Sequence, residues 1–154
     1  MRRKDREVKD INKIIEIINS CKVLRLGVMS EEGVYIVPVN FGYDLINDEF
    51  CFYIHCATEG KKINCIIQNS NVCVEMDCNH RILEGEKACN YSYFYSSIIA
   101  NGKAKILKND DEKLKGLKLI MKHQTGKDFE IDKNAVKFVS IIKITAESIS
   151  AKAH

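Results

Sequence analysis

The chain has 154 residues, 45% hydrophobic and 29% charged, a size and balance that suit one domain spanning 1–154 with a core that needs no covalent staples. Its 24 Lys+Arg and 21 Asp+Glu leave a formal charge of +3, too small and too evenly mixed for nucleic acid to be the main partner. Charges break every long apolar run well short of the roughly 20 residues that cross a bilayer, so no membrane segment is expected.

Met1-Arg2-Arg3-Lys4-Asp5-Arg6 leads into an amphipathic stretch rather than the apolar run of a signal peptide. Over 5–20, Val8, Ile11, Ile14, Ile15 and Ile18 recur at helical spacing, with Asp5 available as N-cap, which predicts a surface helix laid on a core. From Lys22 the pattern changes to short runs rich in β-branched and aromatic residues, predicting six strands at 22–30, 33–41, 49–55, 71–77, 94–108 and 135–149. Ser30-Glu31-Glu32-Gly33 and Asn47-Asp48-Glu49 are hairpin turns by composition. The only proline, Pro38, falls inside the second strand, where its missing N–H forbids a central ladder bond and predicts an edge or a bend. Helical spacing returns over 59–69 and 110–123, and 79–92 is the one long loop expected. Many strands joined by short connections predict a mainly β fold, an antiparallel sheet closed or nearly closed into a barrel over 22–149, with helices outside. A parallel α/β sheet would need a crossover helix after nearly every strand, and the first three strands lack room for one.

The starts of the last two helices disagree. Asp110, Asp111 and Glu112 open the helix at 110–123 and Lys122 and His123 close it, as the helix dipole favours. The helix at 59–69 has Thr58 as a plausible N-cap and then Gly60, Lys61 and Lys62, so two cations sit beside unsatisfied N–H groups at a cost of a few tenths of a kcal/mol each. Either the lysines extend into solvent, or N–H groups, dipole and both ammonium groups converge on a bound phosphate, with Gly60 permitting close approach. His55, ending the strand just ahead, is either an ordinary half-buried polar residue or a ligand contact. A bent strand at Val39 to Phe41 would leave backbone groups facing a planar ligand.

The seven cysteines are an odd number, which cannot close completely within one chain. Most lie in apolar segments, as reduced thiols of a cytoplasmic protein do. The alternative is zinc held by Cys73, Cys78, His80 and Cys89, but their spacing is poor and Cys73 falls inside a strand, so no metal is expected.

Several motifs, in order along nearly the whole chain, carry a family resemblance. They are Met1-Arg2-Arg3-Lys4-Asp5-Arg6-Glu7, Leu24-Arg25-Leu26-Gly27, Tyr35-Ile36-Val37-Pro38-Val39-Asn40-Phe41-Gly42-Tyr43, Phe52-Tyr53-Ile54-His55-Cys56-Ala57-Thr58-Glu59-Gly60-Lys61-Lys62-Ile63, and Tyr95-Ser96-Ser97-Ile98-Ile99-Ala100-Asn101-Gly102-Lys103-Ala104. Together they resemble the pyridoxamine 5′-phosphate oxidase-like flavoproteins, in the branch related to nitroimidazole reductases. The resemblance implies a six-stranded, Greek-key split β-barrel that forms a homodimer with two FMN sites at the subunit interface. It assigns the flavin phosphate to His55, Gly60, Lys61 and Lys62, and the isoalloxazine to Pro38, Val39, Asn40 and Phe41. Tyr95, Ser96 and Ser97 would reach either the flavin or the dimer interface. Two departures stand out: Ser150-Ala151-Lys152 replaces the Thr-Gly-Lys common near the end of relatives, which weakens Lys152 as a ligand, and the substrate motifs of the true oxidase are not recognisable.

The expected function is therefore an FMN-dependent reductase, accepting electrons from a nicotinamide donor and passing them to a small acceptor such as a nitro-aromatic compound. His55 is the candidate catalytic residue, as proton donor or hydrogen-bond partner of the acceptor. A non-catalytic flavin or haem binder on the same barrel is the alternative. Cys56, beside His55 and near Lys61 and Lys62, is the thiol whose pKa those charges would lower.

Overall fold

The computed structural model describes residues 3–154, so Met1 and Arg2 of the opening motif lie outside it. In chain order the elements are β1 (Glu7–Val8), α1 (Ile11–Ser20), β2 (Val23–Ser30), β3 (Gly33–Asn40), β4 (Gly42–Ile46), β5 (Glu49–Cys56), α2 (Lys61–Gln68), β6 (Asn71–Leu83), β7 (Ser92–Ile106), α3 (Asp110–Thr125) and β8 (Ser140–Ala153). The six predicted strands are all present, but the sheet has eight. Its order is β3-β2-β6-β7-β8-β5-β4, with β1 on β8, and every pair is antiparallel. Hydrogen bonding follows this open path rather than a closed ring, as a split barrel does.

Each departure from expectation has a local cause. Val8 fits the helical period but pairs with Ala151 in β1, so α1 starts later and its N-cap is Asp10, whose carboxylate accepts from the Asn12 N–H at 2.9 Å. β4 follows β3 with only Phe41 between them, and no turn residue marks the break. The expected loop at 79–92 shrinks because β6 continues through a bulge to Leu83, with Asn79 at φ 61° and the register shifting between Cys78 and Arg81. The last strand begins at Ser140, after a short 3-10 segment at Lys133–Phe138.

The expected turns hold. Asn47 and Asp48, at φ 51° and 65°, close the β4–β5 hairpin with two positive-φ residues, the conformation whose twist matches antiparallel strands. Gly33 at φ 114° closes β2–β3. β3 ends the sheet path, so Pro38 does sit on an edge strand.

β5 shows how the core is divided. Phe50, Phe52 and Ile54 point into the main core with Leu24, Leu26, Met76, Ile98 and Ile144, and α1 and α2 add Ile17, Ile18, Ile63 and Ile66. Cys51 and Tyr53 point the other way, into a smaller cluster with Ile120 of α3 and Ile141. Each buried aliphatic or aromatic side chain contributes about 1.5–3 kcal/mol. β5 is buried on both faces, which is why it reads as a continuous apolar run without alternation. α3 seats closely there: a Cβ at Gly42 would fall 2.4 Å from the backbone of Leu119 and Ile120.

Candidate functional site

The end of β5, the start of α2 and the inner face of β3 enclose a cavity of about 230 Å³. Tyr35 and Val37 form one wall, and Cys56, Ala57, Glu59, Gly60, Lys61, Lys62 and Ile63 form the rest. The helix start differs from the expected one: Gly60, not Thr58, is the N-cap, at φ 135° and with no side-chain cap. No side chain therefore competes for the first-turn N–H groups, and the space beside the Gly60 Cα is open. Both lysines are in that first turn, Lys61 exposed and Lys62 half-buried.

Lys61 has a partner of its own. Its Nζ lies 2.5 Å from a Glu32 carboxylate oxygen and 5.1 Å from the centre of the Tyr35 ring. The pairing raises the Lys61 pKa and lowers that of Glu32, with the hydrogen bond between them as the largest cause. Lys61 also lines a neighbouring cavity of about 340 Å³ with Ser30, Glu31, Glu32, Asn64, Cys65 and Gln68. The Glu32 carboxylate thus sits on a cationic, uncapped helix start, where another anion would have to compete with it.

Of the residues the sequence singled out, Cys56, Gly60, Lys61 and Lys62 come together around this cavity, and the other candidate site residues lie elsewhere. His55 is exposed one residue before Cys56 and does not line the cavity. Pro38 and Asn40 are exposed on the outer face of β3, while Val39 packs towards the core. Asn40 Nδ2 donates to the Lys22 carbonyl and to Gln124 Oε1, both at 3.2 Å, at the far end of α3. Phe41 is fully buried, its ring 6.1 Å from that of Phe52 and 4.4 Å from that of His123. Its carbonyl accepts from Gln124 Nε2. Tyr95 and Ser97 are half-buried on β7. Ser96 is buried between them, accepts from Asn79 Nδ2 at 3.3 Å and lines a different cavity under α1. Lys152 lies on β8 opposite Ser97 and Glu7.

Tyr35, Val37 and Glu32 were given no part in a site by the sequence. Strand alternation holds the signal for the first two, since if Pro38 and Asn40 face outwards, Tyr35 and Val37 face inwards. The expectation for Cys56 is corrected: burial raises its pKa, and the Lys62 charge only partly opposes this. The zinc set does not assemble. Among the described residues no three His, Cys, Asp or Glu side chains gather to hold a metal ion; His80 is paired with Asp77 at 2.7 Å, and Cys89 is exposed.

The sequence profile described as pyridoxamine 5′-phosphate oxidase matches residues 10–153. The chain belongs to the pyridoxamine 5′-phosphate oxidase-like FMN-binding split-barrel family. Among solved structures, a candidate 5-nitroimidazole antibiotic resistance protein from Bacteroides thetaiotaomicron is 31% identical, with a TM-score of 0.82 over 96% of this chain and 86% of that one. A flavocytochrome from Azotobacter vinelandii is 13% identical at TM-score 0.80, covering 100% of this chain and 72% of that one. An FAD- and haem-binding protein from Mycobacterium smegmatis is 12% identical at TM-score 0.76, covering 96% and 73%. These last two share the fold. No match is found among proteins of curated function. No helix among the described residues is long and apolar enough to cross a membrane.

Proposed function

We propose that this member of the family is an FMN-dependent reductase of small acceptors, nitro-aromatic compounds of the 5-nitroimidazole type among them. The observation that carries the reading is the start of α2, where an uncapped glycine turn and two lysines open onto a cavity walled by Tyr35 and Val37. A phosphate suits this place, because the first-turn N–H groups and both ammonium groups offer it charge-assisted hydrogen bonds. Lys61, Lys62 and the N–H groups after Gly60 would hold the FMN phosphate. The bound flavin supplies the redox chemistry. Tyr35 and Val37 exclude water from the inner side, and Pro38 and Asn40 lie on the outer face of β3 for the ring. Buried Phe41 and inward-facing Val39 would hold that strand in place. His55, exposed beside the cavity, would hydrogen-bond the acceptor or give it a proton.

A homodimer belongs to the same reading. Val34 and Ile36, 69% and 60% exposed, form an apolar strip beside Pro38 that a second copy would cover. Tyr95, Ser96 and Ser97 would then serve the partner's site or the interface. The seven unpaired thiols suit a reducing cytoplasm, where a nicotinamide donor is available.

The test starts with what co-purifies. FMN gives absorption bands near roughly 370 and 450 nm, whereas a Soret band would replace the reading with a haem binder. Exchange of both lysines in K61A/K62A should weaken FMN binding by about 100-fold or more, from the loss of two charge-assisted contacts. Full occupancy in the double variant would refute the phosphate assignment. Anaerobic reduction by a nicotinamide donor, followed by reoxidation with a nitroimidazole, tests the reductase. A flavin that no acceptor reoxidises would leave a flavin-binding protein in its place.

A further inference from the structure

The last turn of α3, the end of α1 and β4 enclose a further cavity of about 540 Å³, against about 230 Å³ at the start of α2, and the two share no lining residue. Its size falls within the roughly 300–1,000 Å³ of small-molecule sites. Tyr43 and His123 give it an aromatic corner, their rings 5.6 Å apart and nearly perpendicular at 83°. Leu45 and Leu119 add apolar wall.

The polar groups in this lining are held in place and keep unused hydrogen-bonding capacity. His123 Nε2 lies 2.8 Å from the Cys21 carbonyl, which only accepts, so Nε2 carries the proton. Burial lowers the His123 pKa, the bond to Cys21 opposes this and the Lys22 charge adds to it, so the ring is neutral at neutral pH. Nδ1 is then an acceptor, and among the described residues nothing donates to it. Arg6 Nε is the only buried side-chain nitrogen or oxygen without a partner among those residues, so Nδ1 is open to solvent, and the cavity is the opening that His123 lines. Tyr43 Oη donates to Asn19 Oδ1 at 2.9 Å, which leaves the Asn19 amide N–H groups free. Lys22 Nζ donates one hydrogen to the His123 carbonyl at 2.5 Å and keeps two. No carboxylate among the described residues pairs with Lys22, whereas Lys122 lies 3.1 Å from Asp128, and Asp44, the acidic residue of the lining, lies 2.6 Å from Lys115.

We propose that this cavity binds a small hydroxy-substituted aromatic carboxylate, at a site separate from that of the flavin. The ligand carboxylate pairs with the Lys22 ammonium and accepts from the Asn19 amide. Its ring packs in the corner of Tyr43 and His123 and against Leu45 and Leu119. Its hydroxyl donates to His123 Nδ1, the one ring nitrogen that the bond to Cys21 leaves without a proton. Asp44 does not repel the anion strongly, because Lys115 already neutralises it.

The probes are the three hydroxybenzoate isomers, titrated into the whole chain by calorimetry and followed through the histidine ring protons in NMR. At least one isomer should bind with a dissociation constant below about 1 mM, within reach of a ligand of so few atoms. Its methyl ether, which lacks the donor, and phenol, which lacks the carboxylate, should each bind about tenfold more weakly or worse. The ring signals of His123, assigned by their loss in H123Q, should shift on binding, while those of His55 stay in place. K22M, a change at an exposed side chain, should also lower affinity about tenfold, and this arm stands whether or not H123Q folds. FMN in excess should leave the probe bound. Absence of binding by all three isomers, equal affinity for the ether or for phenol, an unchanged affinity in K22M, or displacement by FMN would overturn the proposal. The outcome is independent of whether the α2 cavity holds FMN, which the K61A/K62A variant tests.

Discussion

α2 and α3 begin in opposite ways on the same scaffold. α3 has Asn109 as N-cap, its side-chain oxygen accepting from the N–H groups of Asp111 and Glu112 at 2.9 and 3.0 Å, and three acidic residues follow in its first turn. It ends on Lys122 and His123 and a left-handed Gly126 at φ 73°. α2 starts on an uncapped glycine, with lysines where α3 has carboxylates. Both helices bury an apolar face, so packing holds each in place, and the first turn is left to serve another purpose. In α3 the first turn serves stability. In α2 it violates the local rules and borders a cavity, which is where a bound anion would supply the missing partner.

The largest effect that sharpens this contrast is at the seat of α3. Gly42→Ala places a methyl against the backbone of Leu119 and Ile120, and neither can move without shifting α3. We expect at least about 2 kcal/mol of lost stability in urea denaturation. A loss confined to a few tenths would mean that α3 is held loosely, and its tidy ends would no longer mark it as the structural helix of the two.

A smaller loss is expected at the cap. Asn109→Ala leaves two first-turn N–H groups without their acceptor and should cost about 1 kcal/mol. FMN binding should not change, because the α2 cavity is lined by none of these residues. If N109A alters FMN affinity, the two helix starts are coupled and the division of roles fails.

The contrast between the helix starts was legible in the sequence because charge at a helix end is a local property. So were the six long strands and both hairpin turns. β4 was not, since Gly42 follows Phe41 without a turn residue, and the break becomes visible only when Phe41 is buried between Phe52 and His123. β1 was hidden because Val8 satisfies a helical period while its actual partner, Ala151, lies at the other end of the chain. The candidate site was half legible for the same reason. Gly60, Lys61 and Lys62 are neighbours in sequence, but Tyr35 and Glu32 join them only through tertiary approach.

Glu32 provides the finest test of how the α2 start works. Its carboxylate lies on Lys61, yet Glu32 is 81% exposed and Lys61 46%, so the pair is screened by water and salt. If Glu32 is a competitor, Glu32→Gln frees the ammonium group, and FMN should bind a few-fold more tightly at low ionic strength. The gain should shrink at high salt, while the denaturation midpoint stays within measurement error. If Glu32 instead holds Lys61 in position over the Tyr35 ring, the same substitution weakens FMN binding. The two outcomes differ in sign, so titration of FMN into the apoprotein at two salt concentrations separates a competitor from a support. A tighter E32Q complex would mean that the anomaly at α2 is partly compensated in the free protein. Lys61 would then have a temporary carboxylate partner that a phosphate displaces, which helps a helix start so unlike that of α3 to remain stable before anything binds.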